Sequence, residues 1–194
     1  MYFLAASPDL STKEQTFATW ENGFSESEIA RILVQGELTS QTPGTVNANE
    51  VDAAIRQSTV SWLPNNQDNV WLYDKVGWIV RQLNGQFFNF DLTGFGEPFQ
   101  YTVYTGNNDH YTWHVDKGIV NDMPRKLSLT VQLSDPSEYE GGVLELQTGN
   151  TPVPMAKTKG LVVAFPSWIL HRVTPVTAGT RRSLVIWTGG PSFR

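Results

Sequence analysis

From Phe99 to its C-terminal end, the chain is a series of short runs of β-branched and aromatic residues, and this periodicity restricts the fold more than any other feature. Strands are predicted near 99–104, 111–116, 127–133, 142–147, 152–156, 160–165, 170–176 and 181–187. Eight short strands at regular spacing match a double-stranded β-helix, or jelly roll. Because Thr177-Ala-Gly-Thr180 has the residues of a tight turn, the last two runs are predicted to form a strand, turn and strand.

Two helices are predicted ahead of these strands. Ser25-Glu-Ser-Glu28 is a capping box, and the helix behind it is predicted to reach about Glu37. From Asn69 to about Phe87, apolar residues recur at i, i+3 and i+4 steps, which predicts a long amphipathic helix. The segment 40–64 is polar and predicted as loop, with one strand around 58–63. We expect the helices to pack on one sheet of the jelly roll.

Three residues of the C-terminal half have the chemistry of a metal site. Residues i and i+2 of a strand point to the same face, so a strand at 111–116 would place His114 and Asp116 side by side. His171 follows the strand-forming run 161–165 and would approach them from an antiparallel neighbour. Two imidazoles and one carboxylate form the facial triad of non-haem iron(II), which leaves three coordination positions open. The chain has no cysteine, so nitrogen and oxygen must bind the metal.

Further motifs surround these three residues. They are Tyr104…Tyr111-Thr-Trp-His114-Val-Asp116, Arg125-Lys-Leu-Ser-Leu129, Tyr139-Glu-Gly-Gly-Val-Leu144, Phe165-Pro-Ser167 and His171-Arg-Val-Thr-Pro-Val-Thr-Ala-Gly-Thr-Arg181-Arg-Ser-Leu-Val185. From about Gln100 to Trp187 the chain resembles the 2-oxoglutarate- and iron(II)-dependent dioxygenases, in their prolyl 4-hydroxylase-like branch. A weaker match lies at Phe24-Ser-Glu-Ser-Glu28. The sequence departs from many relatives at Val143, where a glutamate often follows the two glycines.

The resemblance implies a role for each part of the site. The two histidines and the aspartate would bind Fe(II) and serve catalysis, and Arg181, ten residues after His171, would bind the C5 carboxylate of 2-oxoglutarate. A guanidinium fork suits a carboxylate because it offers two parallel donors. Tyr104 and Ser183 are expected to contact the same co-substrate, although Tyr104 also fits an ordinary core tyrosine. Iron(II), one aspartate, the dianionic co-substrate and one arginine sum to zero charge, which a buried pocket tolerates.

Three more residues are candidates on the substrate side of the site. Tyr111 and Arg125 resemble family positions that line the substrate cleft. Trp168 is interpreted either as an aromatic at the rim of that cleft or as a cover for the core. Asp116 is absent in halogenating relatives, so its presence here favours hydroxylation.

The resemblance implies an oxygenase that uses O2 and 2-oxoglutarate to hydroxylate a C–H bond, releasing succinate and CO2, with ascorbate as reductant. The expected substrate is peptidyl proline in a peptide or protein. Another residue, a free amino acid or a small metabolite remains an alternative substrate. Two hypotheses of other classes remain: a jelly-roll binding module without turnover, and a zinc hydrolase. For a zinc hydrolase, the sequence shows no positioned general base, and that hypothesis does not explain Arg181.

Composition adds limits on size, partners and location. The chain of 194 residues has the length of one domain, predicted as a helical part at about 1–98 and a jelly-roll core at about 99–190. A net charge of −5 argues against a nucleic-acid partner bound through its phosphates. Residues 1–6 lack the basic region of a signal peptide, and no apolar run approaches a membrane span. The sequence therefore predicts a soluble cytoplasmic protein with no membrane partner, and it leaves the oligomeric state open.

Overall fold

Two antiparallel sheets that share one long strand form the centre of the computed structural model, which describes residues 15–46 and 50–192. Its elements in chain order are β1 (Ala18–Trp20), α1 (Glu26–Leu38), β2 (Thr42–Pro43), β3 (Arg56–Gln57), β4 (Thr59–Leu63), α2 (Val70–Leu83) with a π-helical turn after it (Asn84–Phe88), β5 (Phe99–Thr105), β6 (Asp109–His114), β7 (Ile119–Val120), β8 (Met123–Gln132), a 3-10 turn (Pro136–Glu138), β9 (Tyr139–Gly141), β10 (Leu144–Leu146), β11 (Val153–Pro154), β12 (Val162–Pro166) and β13 (His171–Gly189). The mainly β jelly roll predicted from the sequence is confirmed.

The larger sheet has the strand order β1-β12-β8-β13-β5-β4-β2. In the smaller sheet β13 pairs with β6, β9 and β10, while β3 extends the β6 edge and β11 extends the β10 edge. β7 forms a small ribbon with the start of β8. Strand β4 matches the strand predicted around 58–63, but three more short strands, β1 to β3, also come from the part of the chain predicted as helical or loop.

The predicted strand, turn and strand after His171 is wrong, because this segment is one continuous strand. Its first part pairs with β6, β9 and β10, and its part from Thr180 onward pairs with β5 and β8. The register shifts between Val176 and Ala178, and Gly179 has a φ of 72°. A side chain at Gly179 would overlap the carbonyl oxygen of Glu138. The turn-like residues therefore produce a bulge that redirects β13 from one sheet to the other.

Both helices form where the sequence predicts them, and they cover the larger sheet. The Ser25 hydroxyl accepts the Glu28 N–H at 3.3 Å, and the Glu28 carboxylate accepts the Ser25 N–H at 2.7 Å, which completes the capping box. Apolar residues of α1 and α2 share one core cluster with residues of β5, β8, β12 and the second part of β13. No helix in the described residues is both long and apolar enough to span a membrane.

Strand alternation separates this core from the space between the two sheets. In β8, Leu129 and Val131 pack beneath the helices, whereas Thr130 between them points to the other side and lines a cavity. A second apolar cluster, which includes Tyr104, Phe165 and Val173, fills part of the space between the sheets. The cavity that remains there carries the candidate site.

Candidate active site

His114, Asp116 and His171 converge at one end of the smaller sheet. His114 is the last residue of β6 and His171 the first of β13, and the two are paired in register. Asp116 lies two residues beyond the end of β6, so the loop after the strand, and not strand alternation, turns it inward. Its two carboxylate oxygens lie 3.7 Å from His114 Nε2 and 3.5 Å from His171 Nε2. One ligand atom from each residue lies within 4.8 Å of the others.

Backbone contacts orient both imidazoles. His114 Nδ1 lies 2.8 Å from the carbonyl oxygen of Thr112, and His171 Nδ1 lies 2.9 Å from that of Ile169. A carbonyl accepts only, so each Nδ1 carries a proton, and each Nε2 is the ring nitrogen that is directed towards Asp116 and available to a metal. The Asp116 Oδ2 atom is buried and has no hydrogen-bond partner among the described residues. Three ligand atoms that converge in this way suit a bound cation, and two imidazoles with one carboxylate suit iron(II).

The pKa values agree with a site prepared for a metal. Burial, together with the neighbouring His171, lowers the pKa of His114 to about 4. Burial acts to raise the pKa of Asp116, but the two adjacent imidazoles, together with the donors of Ser128 and Trp187, hold that pKa below its usual value. At neutral pH the site therefore contains a neutral His114 and an ionised Asp116, which are the forms that bind metals.

Arg181 lies on the second part of β13, opposite Tyr104 of β5, and is 2 % exposed. Its Nη1 donates to Ser183 Oγ at 3.2 Å, and the centre of its guanidinium lies 5.4 Å from the centroid of the Tyr104 ring. Its Nε has no hydrogen-bond partner, and no carboxylate of the described chain pairs with it. Burying a guanidinium without a counter-ion is unfavourable, so the arrangement fits an anionic ligand.

One cavity of about 470 Å³ joins Arg181 to the histidines and the aspartate. Tyr104 and Ser183 also line it, so the structure brings together the metal-site and co-substrate candidates of the sequence. Thr130, which was not predicted as a site residue, lines the cavity as well. Its position between Leu129 and Val131 could have identified it, since alternation places it on the face opposite the helices.

The substrate-side candidates separate into two groups. The Tyr111 ring stacks on the His114 ring, with centroids 3.5 Å apart and planes at 12°. Arg125 pairs with Glu97 at 2.6 Å and covers the Trp187 ring at 4.0 Å, and both Tyr111 and Arg125 line the cavity. Trp168 is not in the cavity lining. It is 42 % exposed and its ring lies 5.4 Å from that of Phe90.

The strand-rich half of the chain is similar in sequence to one family. The profile of the 2OG-Fe(II) oxygenase superfamily matches residues 99–189. A PKHD-type hydroxylase from Teredinibacter turnerae is 44% identical over 96 residues, which are 46% of this chain and 42% of that protein. A PKHD-type hydroxylase from Stutzerimonas stutzeri is 28% identical over 174 residues, 86% of this chain and 75% of that protein. A third, from Sphingopyxis alaskensis, is 34% identical over 102 residues, which are 50% of this chain and 46% of that protein. The chain therefore spans less than half the length of the Teredinibacter and Sphingopyxis proteins.

Solved structures agree on the fold. A prolyl hydroxylase from Trichoplax adhaerens, in complex with a hypoxia inducible factor peptide fragment, superimposes with a TM-score of 0.74 at 20% identity, over 90% of this chain and 83% of that chain. A prolyl-4-hydroxylase from Pseudomonas putida gives a TM-score of 0.71 at 17% identity, over 91% of this chain and 94% of that chain. Residues 99–189 thus match the profile of the 2OG-Fe(II) oxygenase superfamily, and the chain shares its fold with solved prolyl hydroxylases.

Proposed function

We propose that this protein is an Fe(II)- and 2-oxoglutarate-dependent dioxygenase that hydroxylates a C–H bond of peptidyl proline and releases succinate and CO2, with ascorbate as reductant. One observation carries the proposal. Three converging ligand atoms and a buried arginine without a carboxylate partner among the described residues line the same cavity. The ligand atoms suit a cation and the arginine suits an anion, and 2-oxoglutarate chelated to a metal supplies both.

His114, Asp116 and His171 would hold the iron. When bound, iron(II) supplies the redox chemistry that couples O2 and 2-oxoglutarate to hydroxylation. The Thr112 and Ile169 carbonyls keep both Nε2 atoms aimed at the metal position, and the stacked Tyr111 ring restricts rotation of His114. These contacts hold the ligands before the metal arrives, so little ordering is needed when it binds.

Arg181 would bind the C5 carboxylate of 2-oxoglutarate, with Tyr104 and Ser183 beside it. The guanidinium provides a fixed fork at the buried end of the cavity, which sets the direction in which the co-substrate lies. Charge supports this assignment, because iron(II), Asp116, the dianion and Arg181 together are neutral. Leu144 and Val173 belong to the apolar cluster between the sheets and also line the cavity, which limits the access of water there.

Peptidyl proline is the substrate we propose because the named relatives are hydroxylases and the similar structures are prolyl hydroxylases. The Trichoplax protein was solved with a peptide fragment, which supports a peptide or protein partner here. We also propose that the helices and the jelly roll act as a single domain, since they share one core cluster.

The test measures succinate formed from 2-oxoglutarate and O2 by iron-loaded parent protein, His114→Ala and His110→Ala. His110 is the matched control, because it lies on the same strand but outside the converging histidines and aspartate. We expect turnover in the parent and in His110→Ala and none above background in His114→Ala. Proline peptides are then screened by mass for the gain of one oxygen. No succinate from iron-replete parent, or equal amounts from parent and His114→Ala, would contradict the proposal and favour a binding module.

A further inference from the structure

Arg56 is a second buried cation of the cavity, away from the residues assigned to iron and 2-oxoglutarate. It lies on β3 and is 7 % exposed. Its Nε donates to Ser58 Oγ at 2.9 Å, its Nη2 to Gln100 Oε1 at 2.8 Å and its Nη1 to the Thr45 carbonyl at 3.4 Å. All three acceptors are uncharged. In the described part of the chain no carboxylate pairs with Arg56.

Arg56 lies close to the end of the cavity that contains His114, Asp116 and His171. Its guanidinium carbon lies 4.7 Å from the centroid of the Tyr111 ring, and that ring stacks directly on the ligand His114. Arg56 is therefore separated from a metal ligand by one aromatic ring. A group bound to Arg56 would lie in the same cavity as the metal centre, close enough for one small substrate or one peptide segment to occupy both.

The charges that line the cavity leave Arg56 without a counter-ion. Glu97 is used by Arg125, which it contacts through two hydrogen bonds of 2.7 and 2.6 Å. Asp116 and Arg181 are balanced once iron(II) and 2-oxoglutarate are bound. Lys117 also lines the cavity, but it is exposed to solvent. Only Arg56 of these described residues stays buried and uncompensated, a state that proteins rarely tolerate without a partner.

The unused donors of Arg56 suit a carboxylate. A guanidinium has five N–H groups, and the three neutral acceptors take one from each nitrogen. One N–H therefore remains on each of the two terminal nitrogens. A pair of donors on adjacent nitrogens binds a carboxylate in the bidentate manner that makes arginine specific for such groups.

We propose that Arg56 determines substrate specificity by binding a carboxylate of the substrate, so that the protein hydroxylates molecules carrying an acidic group near the target C–H bond. The inference rests on the proposed function, which it refines. The carboxylate has three sources: an acidic side chain in a peptide, the free C-terminus of a peptide, or the carboxylate of a free amino acid. Each source places the anion beside Tyr111 while the target carbon lies towards the metal ligands.

The experiment compares acids with their amides in three arms, using the iron-loaded full chain with 2-oxoglutarate and O2. The arms are capped proline peptides with Glu or Gln at each flanking position, proline peptides with a free or an amidated C-terminus, and free amino acids with their amides. Oxygen incorporation is measured by mass. In at least one arm we expect the parent to prefer the acid by about tenfold or more, the effect of one charged hydrogen-bonded pair.

Variants then test whether Arg56 causes that preference. In Arg56→Gln the ratio of acid to amide should fall to near one, because both members of each pair meet an uncharged partner. Arg56→Lys retains the charge without the fork, so its ratio should lie between those of the parent and Arg56→Gln. Lys117→Gln removes a charge from the exposed part of the same cavity lining and should keep the parent ratio within about twofold. A ratio taken within one variant is independent of its overall activity.

Each outcome supports or overturns the inference. It is overturned if the parent shows no acid preference in any arm, if the preference persists in Arg56→Gln, or if Lys117→Gln abolishes it equally. If thermal unfolding shows that Arg56→Gln does not fold, the comparison of parent with Arg56→Lys decides, and equal ratios count against it. Turnover by the parent separates this inference from the proposed function. If succinate forms but the ratio of acid to amide is near one, only this inference is removed. If the parent forms no succinate, with or without added substrate, the proposed function is removed as well.

Discussion

Replacing Arg181 by methionine should have opposite effects on the free protein and on co-substrate binding. Arg181 is 2 % exposed, its Nε has no hydrogen-bond partner, and no described carboxylate pairs with it. Methionine has a similar length and no charge. Without 2-oxoglutarate, the substitution removes a desolvated cation, and the free energy of unfolding should equal or exceed that of the parent. If Arg181 had a purely structural role, its replacement would instead lower the free energy of unfolding of the protein.

The effect on binding follows from the lost charged hydrogen bonds. A hydrogen bond to a charged group contributes about 1.5–3 kcal/mol, so the dissociation constant for 2-oxoglutarate should rise roughly 10- to 150-fold. At a 2-oxoglutarate concentration about 100 times the parent dissociation constant, the parent gains about 2.7 kcal/mol of stability. At the same concentration Arg181→Met should gain only about 0.3–1.4 kcal/mol.

Urea unfolding of manganese(II)-loaded protein, with and without 2-oxoglutarate, measures both effects without turnover. Arg182→Met is the matched control, because Arg182 follows directly on the same strand but pairs with Glu37 at 3.1 Å outside the cavity. It should change the free energy of unfolding by less than about 1 kcal/mol and keep the full response to 2-oxoglutarate. If Arg181→Met is destabilised by more than about 1 kcal/mol in the free form and responds to 2-oxoglutarate like the parent, the reasoning is refuted.

Three further predictions concern pH, the bulge and the first helix. As pH falls from about 6.5 towards 4, the free energy of unfolding of the metal-free protein should decrease by roughly 1 kcal/mol per pH unit. The reason is that burial lowers the pKa of His114 from 6.5 to about 4, so the unfolded chain binds this proton at a higher pH than the folded chain does. In urea titrations, the free energy of unfolding of His114→Phe should depend less steeply on pH. In the same assay, Gly179→Ala should lower the free energy of unfolding by more than about 1 kcal/mol, because Gly179 has a positive φ and a side chain there would overlap the Glu138 carbonyl. Gly149→Ala should not, since a side chain at Gly149 meets nothing within 4 Å. Ser25→Ala should lower the free energy of unfolding by about 1 kcal/mol, and Ser27→Ala should lower it much less. Equal losses in the two variants would contradict the capping role of Ser25.

Local sequence was sufficient where neighbouring residues supply the interactions. The capping box closes between Ser25 and Glu28, three residues apart, so the start of α1 is visible in the printed sequence. The stripe of α2 and the strand runs after Phe99 likewise depend on spacing along a single segment. Asp116 lies beside His114 as the sequence predicted, but its inward orientation comes from the loop after β6, not from strand alternation.

Distant contacts decided what local patterns left ambiguous. The residues around Gly179 suit a hairpin turn as well as a bulge, and the choice depends on the Glu138 carbonyl and on the pairing of β13 with both sheets. Because β13 continues through the bulge, it carries both His171 and Arg181 into one cavity. Arg56 lies in a polar segment with no recognisable motif. Its burial results from contacts with Gln100 and Tyr111, which are remote in sequence.

The sequence by itself determined which atoms are available for chemistry: two imidazoles, one carboxylate and the arginine ten residues later, in a chain whose alternating runs can form only layered strands. The tertiary structure decided which of those charged groups lack a partner. That property depends on all surroundings of a group at once, since a charge is stabilised or left unpaired by whatever the fold brings within a few ångströms of it. The ligand set was therefore predictable, whereas the isolation of Arg181 and Arg56 became apparent only in the folded chain.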